Sequence, residues 1–175
     1  MIRLVRPGEG MEEDVMAFRR EFLEAGEKEI NGGRMLHHFD DYKEWLHYVR
    51  KSQKPENAVT GVRASLYFAL EEDEGRLVGC IELRHELNRE LEVLGGNIGY
   101  SVAPRDRRKG YGTRMLQLVA EKAKVIGIDV LLLTCDTKNI ASIRTITKCG
   151  GVLEKEEKIR RRGKETSVRY YRIQV

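Results

Sequence analysis

The sequence predicts a mixed α/β fold (an α+β mixed sheet with flanking helices) in the order β-α-α-β-β-β-α-β-α-β-β. Three observations carry that prediction. Apolar residues alternate with polar ones in several short segments and recur at helical spacing in others. The passage from 98 to 134 reads strand, loop, helix, strand, the pattern of a right-handed crossover. Segments at 62–83 and 151–174 each fold back across a short turn, which makes antiparallel hairpins.

The elements follow in order. Ile2, Leu4 and Val5 with Arg3 and Arg6 form a short opening strand over 2–6, stopped by Pro7 and Gly8. Over about 12–28, Val15, Phe18, Phe22 and Leu23 share one helical face. Asn31, Gly32 and Gly33 are turn material. A second amphipathic helix covers about 40–53 through Phe39, Tyr42, Trp45, Leu46 and Val49, and Pro55 ends it. Val62, Ala64, Leu66, Phe68 and Leu70 alternate, an acidic turn follows, and 77–83 returns as the partner strand. After a polar stretch at 84–92, residues 98–102 form a third strand closed by Pro104. Met115, Leu116, Val119, Ala120, Ala123 and Ile126 trace the stripe of the strongest helix, ended by Gly127. The apolar run 130–133 suggests a strand buried on both faces. A short helix at about 140–149 and strands at about 151–159 and 166–174 complete the chain, the last two around a turn of Arg162, Gly163 and Lys164.

At 175 residues, with 34% charged and 41% hydrophobic residues, the chain is sized for one globular domain over 1–175. No apolar run reaches the roughly 20 residues of a membrane span. The N-terminus lacks a signal peptide's apolar core, so a cytoplasmic location is expected. Cys80, Cys135 and Cys149 are far apart, without metal-ligand or disulfide-framework spacing, so no metal site is expected. The net charge of +4 concentrates in two clusters, one at 105–109 and one at 158–164. Compact clusters suit small anions or solvated turns better than nucleic acid, which favours basic faces interleaved with aromatics.

The segment Arg107, Arg108, Lys109, Gly110, Tyr111, Gly112, Thr113 lies between a strand and a helix. Unpaired N–H groups at a helix start attract anions, and glycines allow close backbone approach. The flanking cations add charge-assisted contacts, so a diphosphate is the natural guest. No GxxxxGK[ST] occurs, and Met115 stands where a GxGxxG motif needs its third glycine. A solvated basic turn is the alternative.

Arg107-x-x-Gly110-x-Gly112 resembles the Q/R-x-x-G-x-G/A signature of the GNAT superfamily of acyl-CoA-dependent N-acetyltransferases. Asn139-x-x-Ser142, closing on Gly150, is similar to that family's N-x-x-S segment. The resemblance implies a sheet splayed at the cofactor site and acetyl-CoA as cosubstrate. By position, the amides of Arg107, Arg108, Lys109, Gly110, Tyr111, Gly112 and Thr113 would hold the pyrophosphate. Backbone groups of Tyr100, Ser101 and Val102 would pair with the pantetheine arm. Asn139 and Ser142 would approach the pantetheine or the phosphoadenosine, Asn139 being equally suited to capping the next helix.

Acetyl transfer needs a deprotonated amine, donors for the oxyanion and, where required, a proton for the departing thiolate. The family often supplies that proton from a tyrosine seven residues after the asparagine, where this chain has Ile146. Tyr100 and Tyr111 are candidate replacements. Asn97 stands where relatives place a basic carboxylate, so Glu82, between Ile81 and Leu83, is the candidate base, with His85 as another. Direct attack by the amine is preferred to an intermediate on Cys135. An acceptor site is expected from the N-terminal helices and the 84–96 loop, with His37, His38, Asp40, Asp41 and Trp45, the acids suiting a cationic amine. The alternatives to an enzyme are a CoA-binding or regulatory module without catalysis, and nucleic-acid binding through 158–164. The C-terminal strands offer an edge for a homodimer.

Overall fold

Alternation at 2–5, 64–71, 77–84 and 98–102 builds one antiparallel sheet. In the computed structural model, which describes residues 1–161 and 163–175, β1 (Ile2–Val5), β2 (Ala64–Glu71), β3 (Leu77–Arg84) and β4 (Ile98–Val102) lie side by side in that order. A second antiparallel sheet has the order β5 (Val130–Asp136), β7 (Lys164–Gln174), β6 (Val152–Arg161).

The helices cover the first sheet on both faces. α1 (Glu12–Glu24) buries Val15, Phe18 and Phe22, and α2 (Tyr42–Lys51) buries Tyr42, Trp45, Leu46 and Val49, the i, i+3, i+4, i+7 stripe. Both meet the β2 face carrying Leu66, Phe68 and Leu70. Phe18, Trp45 and Phe68 pack edge-on or tilted, with Trp45 and Phe68 centroids 5.7 Å apart. On the opposite face α4 (Tyr111–Val125) lays Met115, Leu116, Val119 and Ala123 against Tyr67, Val78, Ile81 and Leu83. α5 (Ile140–Lys148) buries only Ile146.

Several boundaries differ from expectation for local reasons. α1 stops at Glu24 rather than near 28 because Gly26 turns left-handed (φ 75°). Its N–H bonds the Leu23 carbonyl while Glu27 N–H reaches Phe22, a Schellman ending. The polar stretch contains a helix, α3 (Arg89–Val93), capped by Asn88 Oδ1 accepting from Leu91 N–H at 3.0 Å. Five residues are too few to show a period. β6 and β7 run further toward their turn, to the register pair Arg161 and Lys164; Arg162, part of the expected turn, lies outside the described residues.

The crossover at 98–134 does not close one continuous sheet, and no ladder pairs β4 with β5 among the described residues. Asn97 joins them at one point. Its N–H donates to the Leu132 carbonyl (2.7 Å), its Oδ1 accepts from Leu132 N–H (2.8 Å), and its Nδ2 donates to the Arg84 carbonyl (3.0 Å). Beyond that clasp no ladder joins the sheets, and the outer edge of β4 has no strand partner among the described residues. Among the described residues no helix is long and apolar enough to cross a membrane.

Candidate active site

The loop between β4 and α4 is shaped by its backbone. Arg108 (φ 67°) and Gly110 (φ 87°) are left-handed, and Gly110 caps α4 without any side-chain bond to the helix start. The first N–H groups of α4 are therefore not met by a capping side chain. A Cβ built on Gly110 meets nothing within 4 Å, so its freedom serves φ and the open approach to the helix end.

The loop's side chains are less available than the sequence suggests. Arg105 pairs with Glu21 (3.0 Å), Arg107 with Glu27 (2.6 Å) and Lys109 with Asp106 (2.9 Å). Arg108 has no ion-pair partner among the described residues. Asp106 is buried and also meets Arg76, which in turn holds Glu71, the acceptor for the Tyr111 hydroxyl. This network ties the loop to the β2–β3 turn. The donors this loop leaves open are therefore the backbone amides at the α4 start and Arg108, while the half-exposed ion pairs are free to exchange.

Tyr100, Ser101 and Val102 pair with Ile81, Cys80 and Gly79 on one side only. The Tyr100 hydroxyl crosses from β4 to α5, 3.0 Å from Ser142 Oγ. Burial pushes its pKa up against the hydrogen bond from Ser142, so it keeps its proton at neutral pH. Asn139 is the α5 cap, its Oδ1 accepting from Ser142 N–H at 3.0 Å. Ile146, where the family often has tyrosine, is buried in the core. Thr113 sits in the first turn of α4 and its carbonyl accepts from the Cys149 thiol. Burial raises the thiol pKa of Cys135, which disfavours it as a nucleophile.

A cleft of about 420 Å³ opens on the α1 and α2 side of β3. Its inner wall is the α1–α2 loop, laid directly on β4: a Cβ on Gly32 (φ 75°) would stand 2.2 Å from the Gly99 carbonyl oxygen. Arg34 (φ 46°) and Met35 (φ 63°) are left-handed non-glycines, a conformation costing about 1–2 kcal/mol each. It is held by the Trp45 indole N–H, which bonds the Gly33 and Arg34 carbonyls.

Glu82 lies in this cleft, opposite Gly99 in the ladder. Its surroundings are not the apolar ones its strand neighbours imply. Arg34 Nε reaches Oε1 at 2.7 Å and Arg84 Nη2 reaches Oε2 at 3.3 Å. With both oxygens engaged, Glu82 is placed to anchor two arginines rather than to accept a proton. The missed signal is long-range, since Arg34 is 48 residues away.

His37 and His38 line the cleft as expected. Burial first, then the neighbouring His38, lowers the pKa of His37, whose Nδ1 accepts from Ile30 N–H at 3.4 Å. Asp40, Asp41 and Trp45 do not contribute acceptor groups. Asp40 pairs with Arg19 at the surface, Asp41 caps α2 through Glu44 N–H, and Trp45 is fully buried. His85 is 2.9 Å from Ser65 Oγ in a separate cavity of about 270 Å³. In the C-terminal cluster Lys158 pairs with Glu165 and Arg161 with Glu29.

The family model for the acetyltransferase (GNAT) domain matches residues 12–152. No curated protein sequence matches significantly. Among solved structures, the ribosomal L7/L12 alpha-N-protein acetyltransferase RimL, in complex with coenzyme A, superposes with a TM-score of 0.71 at 14% identity, covering 99% of this chain and 94% of that one. The microcin C7 self-immunity acetyltransferase MccE, in complex with acetyl-CoA and AMP, gives 0.70 at 15% identity over 99% and 92%. A spermidine N-acetyltransferase chimera from Vibrio cholerae and hSSAT gives 0.67 at 14% over 99% and 95%. At these identities the likeness is one of fold, and it is the match of the domain model over more than half of its length that makes this chain a member of the GNAT acetyltransferase family.

Proposed function

We propose that the chain, acting as one domain, transfers an acetyl group from acetyl-CoA to a primary amine by direct attack. The observation that carries this is the conjunction of the uncapped, glycine-shaped start of α4 with the unpaired edge of β4. The pyrophosphate suits the amides of 107–113, and the amide-bearing pantetheine suits the edge of 100–102 as an added strand, once Arg107 Nε yields the Val102 carbonyl it holds at 3.3 Å.

The amine nitrogen forms a bond to the thioester carbonyl carbon while the carbon–sulfur bond breaks. A backbone N–H at or beside Val102 is the donor for the oxyanion. Tyr100, holding its proton, is the group from this chain suited to protonate the leaving thiolate. The thiolate is itself a tolerable leaving group, with a thiol pKa of about 8.5. No free carboxylate is offered in the cleft by Glu82, so the amine sheds its proton to solvent or to a group of its own.

Thiol release from acetyl-CoA in the presence of an amine panel tests the reading. Gly110→Asp sets a carboxylate at the α4 start and should weaken acetyl-CoA binding by about tenfold or more. Unchanged affinity would remove the site assignment. The buried Ile146 favours one second reading, a CoA-binding module without catalysis. Acetyl-CoA binding without thiol release for any amine would establish it.

A further inference from the structure

We infer that the acceptor amine carries an anionic group, a carboxylate or phosphonate, received on the cleft floor by Arg34 and Arg84. The inference rests on the acetyl-transfer reading above. Arg34, Glu82 and Arg84 form a cluster of two guanidiniums and one carboxylate, with side chains only 6%, 8% and 13% exposed. The cluster holds one positive charge in excess where water screens poorly.

Neutral acceptors soak up some donors without cancelling that charge. Arg34 Nη1 donates to the Ser52 carbonyl and Oγ at 3.1 and 3.0 Å. Arg84 Nη1 donates to the Gly95 and Gly96 carbonyls at 3.2 and 3.0 Å. Arg84 Nε is buried with no hydrogen-bond partner among the described residues. An excess positive charge on a poorly screened cleft wall is what an anionic group on the ligand would balance.

The rim adds to the same sign. Lys28 is exposed there without an ion pair among the described residues, while Glu29 faces Arg161. A polyamine would bring further cations to a positive floor, and Asp40 and Asp41, the acids expected to draw one, lie outside the cleft lining. Asp40 is on Arg19 and Asp41 is capping α2. The excess charge also favours the neutral amine over the ammonium, and the neutral amine is the nucleophile. An amine adjacent to a carboxylate or phosphonate satisfies both demands.

The test uses the intact protein with saturating acetyl-CoA and matched sets of an α-amino acid, its carboxamide and its decarboxylated amine, with 1-aminoethylphosphonate beside ethylamine. Thiol release should give a kcat/KM at least about tenfold higher for the anionic member of a set. Arg84→Gln should bring that ratio toward unity, and Lys28→Gln, at an exposed position, should lower it without touching the core. Equal turnover across each set, or preference for the uncharged members, overturns the inference and leaves acetyl transfer standing. No turnover of any member while acetyl-CoA binds overturns the acetyl-transfer reading instead.

Discussion

Asn97→Ala removes the side chain that clasps the two sheets. The backbone bond from residue 97 N–H to the Leu132 carbonyl survives, but Leu132 N–H and the Arg84 carbonyl lose their partners. Asn97 is 4% exposed, so water does not readily replace them. An unsatisfied buried group costs about 1–3 kcal/mol, which sums to about 2–6 kcal/mol for the pair. Against a typical stability of about 5–15 kcal/mol that is a large fraction. For a domain of this length, a loss of about 3 kcal/mol lowers Tm by roughly 6–12 °C. Urea unfolding followed by tryptophan fluorescence measures it, since Trp45 is the single tryptophan and is buried. Asp41→Ala, which removes the exposed side-chain cap of α2, should cost about 1 kcal/mol and serves as the control. If Asn97→Ala costs no more than that control, the clasp is not what joins the sheets.

Other perturbations follow from the same geometry. Gly32→Ala would drive a methyl into the Gly99 carbonyl from a left-handed backbone, so acetyl transfer should fall sharply with the loop displaced; unchanged KM and kcat would contradict the close approach. Asp106→Ala should destabilise by about 2–4 kcal/mol, the cost of breaking a buried pair reduced because Arg76 and Lys109 keep contact with water. Burial pushes the Asp106 carboxyl up, but Arg76 and Lys109 outweigh it and hold it below the usual range. Its contribution is then complete above the unfolded value of about 3.9 and lost as pH falls through the lower folded value, so wild type and variant should converge only in acid. Tyr100→Phe should lower kcat by about tenfold to a hundredfold with little change in KM for acetyl-CoA; an unaltered kcat would make Tyr100 a packing residue.

The legible parts of the chain were those governed by neighbours in sequence. The α2 stripe and the breaks at Gly127 and Pro104 depend on local periodicity and on φ preferences, and all appear where expected. Asn139 caps α5 because a short polar side chain before a helix can reach back to its first amides. The α4 loop was readable too, since a left-handed glycine, Gly110, and a helix start are written in consecutive residues. Its charges were misleading: Arg105, Arg107 and Lys109 look free in a line of sequence but meet Glu21, Glu27 and Asp106 in space.

By itself, then, the sequence determined the elements other than α3, their order and the glycine-bearing loop before α4, because each depends on contacts within a turn or two of chain. Only the tertiary structure decided that one expected sheet is two, joined through Asn97 and Leu132, 35 residues apart. It alone turned Glu82 from an apolar-flanked carboxylate into the anchor of two arginines, one of them 48 residues away. Charge pairing and sheet clasping are set by which distant segments the hydrophobic layers bring together, and no local pattern encodes that meeting.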